Sequence, residues 1–149
     1  MKNYLLLSVL LLALLGCQSK EESVMPAYLL GKWQLSSYEI VPWAWETNKE
    51  KIYQAESLSY GMYYEFVADS RFKKKLSTGV ETGGTYSIQY VNGAYYATLH
   101  YQTETDKDKQ SLQFSCTQGT STLQVIEENQ LAEDDRGCDG AKWVYQKIE

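Results

Sequence analysis

The sequence has little of what an enzyme active site needs. Its 149 residues include one histidine, His100, and if Leu99 points inward along a strand then His100 points outward. There is no nucleophile motif, no phosphate-cradling glycine loop and no run of metal ligands. Residues 135–140 superficially resemble the start of a calcium loop, but the acidic residue at its third position and the glutamate at its twelfth, where Gln146 stands, are missing. We therefore expect a protein that is not an enzyme and carries no metal or cofactor.

An excess of positive charge is also absent. The formal net charge is −5, and the lysines form no basic stripe, which argues against nucleic acid as a partner. The lysines at positions 73–75 lie in a strand-like run, where alternation turns Lys73 and Lys75 to solvent. This pattern is typical of a solvated barrel wall or of a protected sheet edge.

The apolar run at the N-terminus, residues 5–15, is too short to span a bilayer comfortably. It follows Lys2 and precedes the small residue Gly16, as in a secretory signal. Residues 14–17, Leu-Leu-Gly-Cys, resemble the bacterial lipobox. The resemblance implies that residues 1–16 are removed as a signal peptide, that Cys17 is lipidated, and that residues 17–28 form a polar tether to the membrane. An ordinary signal peptide with an incidental cysteine is the alternative.

The polar residues 18–22 resemble the lysine-plus-acidic signal of surface-exported lipoproteins of the Bacteroidetes. A plain tether is the other interpretation. We expect a lipid-anchored protein of the outer membrane, on either its cell-surface or its periplasmic face.

The sequence has three cysteines, and two of them remain free to pair if Cys17 is lipidated. Cys116 and Cys138 are then an even pair in an oxidising compartment, which predicts a disulfide between them. Two free buried thiols are the alternative. A zinc site is not expected, because two cysteines and one distant histidine do not have zinc-ligand spacing.

Alternation with a period of two predicts a succession of short strands after residue 29. Asn92-Gly93, with strand-like runs on both sides, is the strongest hairpin signal in the chain. The predicted strands number eight, or nine if a short one forms near Leu131. They cover residues 31–41, 60–67, 71–77, 86–90, 95–101, 112–116, 123–125 and 141–148.

The connections between these strands carry their own signals. Within residues 42–59, Thr47 and Glu50 fit a capping box, which predicts a short helix over 48–56, placed as a lid on one end of the fold. Residues 79–84 are predicted as a glycine-rich hairpin connection, and residues 104–109 as a charged loop.

Eight antiparallel strands joined by near-neighbour turns predict an all-β, up-and-down barrel, with an open sandwich as the alternative. Gly31-x-Trp33 at the head of the first strand, with the strands behind it, resembles the lipocalin-like β-barrel families. The resemblance implies a barrel domain over residues 29–149. It also implies that Trp33 closes the base of the barrel beneath a basic residue, here Lys142 or Lys147.

Aromatic residues are abundant, with 13 tyrosines and four tryptophans. Most tyrosines are expected in the barrel wall and core. Trp43 and Trp45 lie in a loop, where they either fill the end of the barrel or form a rim for a ligand or partner. The candidate ligand-lining tyrosines are Tyr64, Tyr86, Tyr90, Tyr95 and Tyr101.

We expect a lipoprotein that binds a small apolar or amphipathic ligand in the barrel or at its mouth. The competing hypothesis is a packed barrel, without a ligand, whose loops dock another protein of the cell envelope. The loop of Trp43 and Trp45 and the acidic loop 129–140 would then be the contact surfaces. Inhibition of an external enzyme by an inserted loop is a third possibility. The protein is expected to be a monomer.

Overall fold

Nine β-strands make up most of the described chain. The computed structural model describes residues 27–40, 51–113, 119–135 and 141–149. An α-helix, α1 (Lys107–Leu112), and two one-turn 3₁₀ helices, Ala27–Leu29 and Ala55–Ser57, are the other elements of these ranges. The strands are β1 (Gly31–Ile40), β2 (Lys51–Gln54), β3 (Met62–Val67), β4 (Arg71–Leu76), β5 (Glu81–Val91), β6 (Ala94–Tyr101), β7 (Thr120–Glu127), β8 (Gln130–Asp134) and β9 (Ala141–Lys147).

Eight of these strands close into an antiparallel barrel. From β3 to β9 each strand pairs with the next, β3 pairs with the start of β1, and β9 closes the circuit along β1 from Trp33 to Ile40. β2 lies outside the circuit and pairs with Ser37–Ile40 of β1, beyond the point where β3 leaves it. The prediction of an eight-stranded up-and-down barrel is confirmed, with β2 as one additional strand.

The barrel has two different ends, which we call the base and the mouth. At the base, short turns join β3 to β4, β5 to β6 and β7 to β8, and the chain enters through Ala27–Leu29. The β5–β6 turn has Asn92 and Gly93 at φ 52° and 84°, which confirms the predicted hairpin. At the mouth, the connections from β1 to β2, β6 to β7 and β8 to β9 include the internal segments outside the described residues.

Aromatic side chains pack the barrel closest to the base. Trp33 is fully buried, and its indole Nε1 donates a hydrogen bond to the Leu29 carbonyl at 2.9 Å. The Lys147 Nζ lies 5.6 Å from the centroid of the Trp33 ring and donates to the Tyr28 carbonyl at 2.6 Å. Lys147 is therefore the basic residue that the resemblance placed beside Trp33, where the cation also contacts the face of the indole ring.

Gly31 is required by the closure of the barrel at this end. Its φ is 115°, and a Cβ atom there would lie 2.1 Å from the backbone oxygen of Glu149. The Lys32 amide donates to that same oxygen at 3.0 Å. Only glycine lets the C-terminal residues pass this close to the start of β1.

The prediction of a helix over residues 48–56 is wrong for most of the residues in this range that the structure describes. Lys51–Gln54 form β2, and only Ala55–Ser57 make a helical turn, while the capping-box residues Thr47 and Glu50 lie outside the described residues. The reason is that β1 continues past β3 and offers an unpaired edge, which the β-favouring side chains Ile52 and Tyr53 occupy. Long-range pairing therefore overrides the local helix signal.

The prediction of an inward-facing strand that starts at Leu112 is also wrong at that residue. Leu112 is buried, but it ends α1, and Phe114 and Cys116 lie outside the described residues. The helix begins inside the predicted charged loop because Asp106 is its N-cap. The Asp106 Oδ1 accepts from the amides of Asp108 at 2.8 Å and Lys109 at 3.4 Å.

The glycine-rich connection is shorter than predicted. The turn ends before β5 begins at Glu81, so Gly83 and Gly84 belong to the strand. A Cβ atom on Gly84 would lie 1.9 Å from the His100 carbonyl oxygen on β6. The glycine therefore marks a close approach of two strand backbones rather than a turn.

Candidate functional site at the mouth of the barrel

Strand alternation places two opposite charges inside the barrel. Lys74 shares the inward face of β4 with Phe72 and Leu76, and Glu133 follows Leu131 at period two on β8. The two residues are only 4% and 1% exposed, and the Lys74 Nζ lies 3.4 Å from the Glu133 Oε2. A buried pair of this kind is costly unless further hydrogen bonds satisfy it.

Three tyrosines supply some of these hydrogen bonds. The Tyr64 hydroxyl donates to the Glu133 Oε2 at 3.0 Å, and the Tyr145 hydroxyl lies 3.2 Å from the same oxygen. The Tyr101 hydroxyl lies 3.2 Å from that of Tyr64 and can donate to it. The Lys74 ammonium also lies 5.1 Å from the centroid of the Tyr64 ring. Glu133 Oε2 is thus surrounded by donors.

The environment of the other carboxylate oxygen, Oε1, is different. Among the described residues, neither the Glu133 Oε1 nor the Ser121 Oγ has a hydrogen-bond partner, although both side chains are buried. Ser121 lies one inward position nearer the mouth than Leu123, which pairs directly with Glu133. A carboxylate oxygen and a hydroxyl that have no partner in the described part of the chain therefore face the interior on neighbouring strands, where each missing hydrogen bond costs about 1–3 kcal/mol.

The electrostatics favour a charged lysine and neutral tyrosines. Burial raises the pKa of Tyr64 and of Tyr145 well above the usual value, and the charge of Glu133 adds to the effect. Burial lowers the pKa of Lys74, but Glu133 and Tyr101 reverse that effect, so the pKa lies above its usual value. At neutral pH the tyrosines keep their protons and can donate them as hydrogen bonds.

Asp135 adds a titratable carboxyl on the mouth side of Glu133. Burial and the nearby charges of Glu133 and Asp134 raise its pKa to about 6, against the opposing effect of Lys74. Its amide donates to the Ala141 carbonyl at 3.1 Å, which continues the β8–β9 ladder. The mouth therefore holds a carboxyl group that changes charge near neutral pH.

A row of three aromatic rings lies at the same end. The register of β1 shifts between Leu35 and Ser37, which puts Tyr38 opposite Trp143 of β9. The Tyr38 ring lies 5.4 Å from the Trp143 ring and 5.1 Å from the ring of Tyr53 on β2. All three residues are partly exposed, so we call them the aromatic row and regard it as an apolar surface next to the polar group at Glu133.

The five tyrosines predicted as ligand-lining do not form one site. Tyr64 and Tyr101 belong to the cluster at Glu133. Tyr86 is buried, with its hydroxyl donating to the Val67 carbonyl at 3.1 Å, and Tyr90 and Tyr95 lie at the base with their ring centroids 4.7 Å apart. Strand alternation identified Tyr64 and Tyr86 as buried, but Tyr90 is exposed, and alternation did not indicate the end of the barrel at which each tyrosine lies.

The other predicted site residues cannot be placed. Trp43, Trp45, Cys17, Cys116 and Cys138 lie outside the described residues. The ranges 27–40, 51–113, 119–135 and 141–149 contain no group of three or more histidine, cysteine, aspartate or glutamate side chains able to hold a metal ion. Within the same part of the chain there is no helix of the length and hydropathy needed to cross a membrane.

Sequence reasoning missed Lys74, Glu133, Ser121, Tyr145 and the aromatic row as site residues. The signal for Lys74 was available, because the alternation that exposes Lys73 and Lys75 must turn Lys74 inward, as the structure shows. Glu133 has the same signature after Leu131. The contact between the two charges could not be predicted from the sequence, because β4 and β8 lie on different sides of the barrel and no local pattern relates them.

A groove of about 850 Å³ lies on the wall of the barrel rather than deep inside it. Four of its lining residues are turned outward by strand alternation: Arg71, Lys73, Thr85 and His100. Gly83 of β5 and Lys109 of α1 complete this part of the lining. Of the predicted tyrosines only Tyr101 borders this groove. The groove is therefore not the interior pocket that the sequence suggested.

The closed circuit of eight strands, the 3₁₀ turn ahead of β1 and the tryptophan at the base define a lipocalin-like barrel fold. The same fold is found in a crystal structure of a lipocalin-like protein from Bacteroides uniformis, determined at 1.79 Å resolution. The two chains are 20% identical, the alignment covers 81% of this chain and 99% of the other, and the TM-score is 0.53. No protein-family description and no curated protein matches the sequence.

Proposed function

We propose that this protein binds a small amphipathic molecule at the mouth of its barrel. The observation that carries the proposal is the Glu133 Oε1, a buried carboxylate oxygen without a hydrogen-bond partner among the described residues. Such an oxygen is costly to bury unless a donor reaches it. A ligand hydroxyl or amide would supply that donor, while its apolar part lies against the aromatic row.

The packing of the barrel supports a site at the mouth and limits its depth. Trp33, Phe66 and Phe72 are at most 2% exposed and occupy the interior on the base side. A ligand would therefore enter only as far as the layer of Glu133 and Lys74. This favours a compact ligand with one polar end over a long acyl chain buried to the base.

The experiment is a comparison of two matched probes, n-octanol and methyl octyl ether. The alcohol can donate a hydrogen bond to the Glu133 Oε1, whereas the ether cannot, and a site built to accept a hydrogen bond discriminates strongly against a molecule that lacks the donor. We expect the alcohol to raise the melting temperature and to bind at least about fivefold more tightly than the ether, because a missing partner for a buried polar group costs about 1–3 kcal/mol.

Two variants define where the probe binds. Ser121→Ala removes the buried hydroxyl that lacks a partner among the described residues, and it should weaken octanol binding without destabilising the fold. Tyr90→Ser at the base is the matched control and should leave binding unchanged. If neither octanol nor a wider panel of amphipathic molecules and glycans shifts the melting temperature, ligand binding at the mouth is contradicted.

We also propose that the chain is a lipoprotein of the outer membrane, anchored through Cys17. The support is the sequence of residues 1–22, with its short apolar run and its Leu-Leu-Gly-Cys segment. Incorporation of an alkyne fatty acid into the wild-type protein in a bacterial host, and its loss in Cys17→Ser, would support the anchor. Protease treatment of intact cells would separate the cell-surface face from the periplasmic face.

The disulfide between Cys116 and Cys138 remains part of the proposal. Cys116 belongs to the connection from β6 to β7 and Cys138 to the connection from β8 to β9, and the described strand ends that flank both connections lie at the mouth. A common end is a necessary condition for the bond. Mass spectrometry of the peptides with and without reduction tests it directly, and free thiols at both positions would contradict it.

The packed base favours a second candidate, a protein-interaction module of the cell envelope. In that case the loop of Trp43 and Trp45 would be the contact surface, and the barrel would serve as its support. Replacing both tryptophans with serine separates the two functions. Loss of partner pull-down with octanol affinity intact favours docking, whereas reduced octanol affinity alone favours the ligand site.

A further inference from the structure

Exposed apolar side chains ring the base of the barrel. The strands β3, β5 and β7 run toward the base, and each has an exposed branched residue at or next to its end, Val67, Val91 and Ile126. Ile148, directly after β9, repeats the pattern, and the four side chains are 39% to 47% exposed. We call these four residues the basal ring. Their recurrence at every strand that descends to one end indicates a surface rather than scattered apolar residues.

A tyrosine cluster extends this surface. β4 pairs with β5 only as far as Thr85, so the tip of the β5–β6 hairpin projects past β4 at the base. Tyr90, near this tip, is 59% exposed, and its ring packs against Tyr95, whose ring lies 6.5 Å from that of Tyr28. Tyrosine, with an apolar body and a polar hydroxyl, suits the boundary between water and lipid.

The path of the chain connects this end to the proposed lipid anchor. The one-turn helix Ala27–Leu29 lies at the base, and its last residue accepts the hydrogen bond of Trp33. Cys17 precedes Ala27 by only ten residues, which span at most about 35 Å when fully extended. The described chain therefore leads toward the anchor from the same end as the basal ring.

The charges at the base are of both signs, and two pairs of them are in contact. The Lys32 Nζ lies 2.6 Å from the Glu149 carboxylate, and the Arg71 guanidinium contacts Asp69 at 2.5 Å. There is thus no basic patch among the described residues here that would select anionic lipids. The contact that this surface can make is apolar and interfacial, and it should depend little on salt.

We propose that the basal ring and the tyrosine cluster rest on the lipid bilayer, so that the mouth of the barrel faces away from the membrane. The inference rests on the proposed lipid anchor at Cys17, which supplies the attachment but does not by itself set an orientation. The basal ring sets it. A ligand would then reach the aromatic row and Glu133 from solution rather than from the lipid.

The test uses the full-length, lipidated protein in phosphatidylcholine vesicles, recovered by flotation. Glu128→Cys places a fluorescent label in the β7–β8 turn at the base, and Thr78→Cys places the same label in the β4–β5 turn at the mouth. Both positions are exposed and lie in hairpin turns. The unsubstituted protein, treated with the same reagent, gives the background from the native cysteines. Brominated phosphatidylcholine then quenches a label that touches the bilayer.

We expect the label at position 128 to be quenched severalfold more than the label at position 78, at low and at high salt. Replacing Val91 and Ile126 with serine should reduce that difference. The matched control replaces Ile40 and Ile52, exposed at the other end, with serine and should not change it. Equal quenching of both labels in floated protein overturns the docking alone, whereas protein that does not float overturns the anchor and the docking together.

Discussion

The base and the mouth of this barrel are built on the same alternation of inward side chains, yet they place different chemistry inside. At the base the inward positions hold Trp33, Phe66 and Phe72, which are almost fully buried against one another. Toward the mouth the same strands and their neighbours hold Lys74 and Glu133, and one oxygen of the Glu133 carboxylate has no hydrogen-bond partner in the described ranges of the chain. The base therefore provides the stability of the fold, whereas the mouth gives up some stability, which is what the proposed ligand site requires.

The largest expected difference between the two ends comes from removing one tryptophan from each. Trp33→Ala should lower the free energy of unfolding by about 4 kcal/mol, because it opens a cavity at a fully buried position. Trp143→Ala, at a partly exposed position in the aromatic row, should cost about 1 kcal/mol. Urea unfolding followed by circular dichroism measures both values. Equal losses would contradict the division of roles.

The buried ion pair gives the next largest effect. Lys74→Met leaves the Glu133 carboxylate inside the barrel without its cation and should cost about 3 kcal/mol. Changing Glu133 to leucine in the same chain removes the stranded charge as well, so the double variant should recover at least half of that loss. Urea unfolding of the two single variants and the double variant completes the cycle. Strictly additive losses would show that the two charges do not act as a pair.

A smaller effect should come from Asp135. Its pKa is raised to about 6 in the fold, compared with about 3.9 in an unfolded chain. Between these values the folded protein binds more protons than the unfolded chain, so the free energy of unfolding falls as the pH rises from about 4 to about 6. Since Asp135 is partly exposed, solvent screening should hold the change to about 1 kcal/mol. The slope of stability against pH should flatten in Asp135→Asn, and an unchanged slope would rule this carboxyl out as its source.

The strands and the barrel could be predicted from the sequence because the signals that specify them are local. Alternation with a period of two and the Asn92-Gly93 turn act over a few residues, and the structure has β1, β6 and the hairpin turn where they were predicted. β2 did not follow, because Lys51–Gln54 became a strand only through the free edge of β1. Local signals identify an element, whereas its partner comes from the closure of the sheet.

The site was harder to predict for the same reason. Tyr64 and Tyr101 were identified from alternation, but their role depends on Glu133, which reaches them from β8 across the barrel. The aromatic row depends on the register shift between Leu35 and Ser37, which no sequence motif marks. Chain order could not reveal that Tyr90 and Tyr95 lie at the opposite end from the charged pair.

The measurement that tests the central claim most directly is an NMR titration of the protein with n-octanol, in which the amide signals are assigned and followed. The account predicts that the signals of Ser121, Glu133 and Asp135 shift together with one binding constant, while those of Trp33 and Tyr86 at the base stay in place. Shifts confined to the base or to the outer groove beside Lys73, with the mouth unchanged, would contradict it.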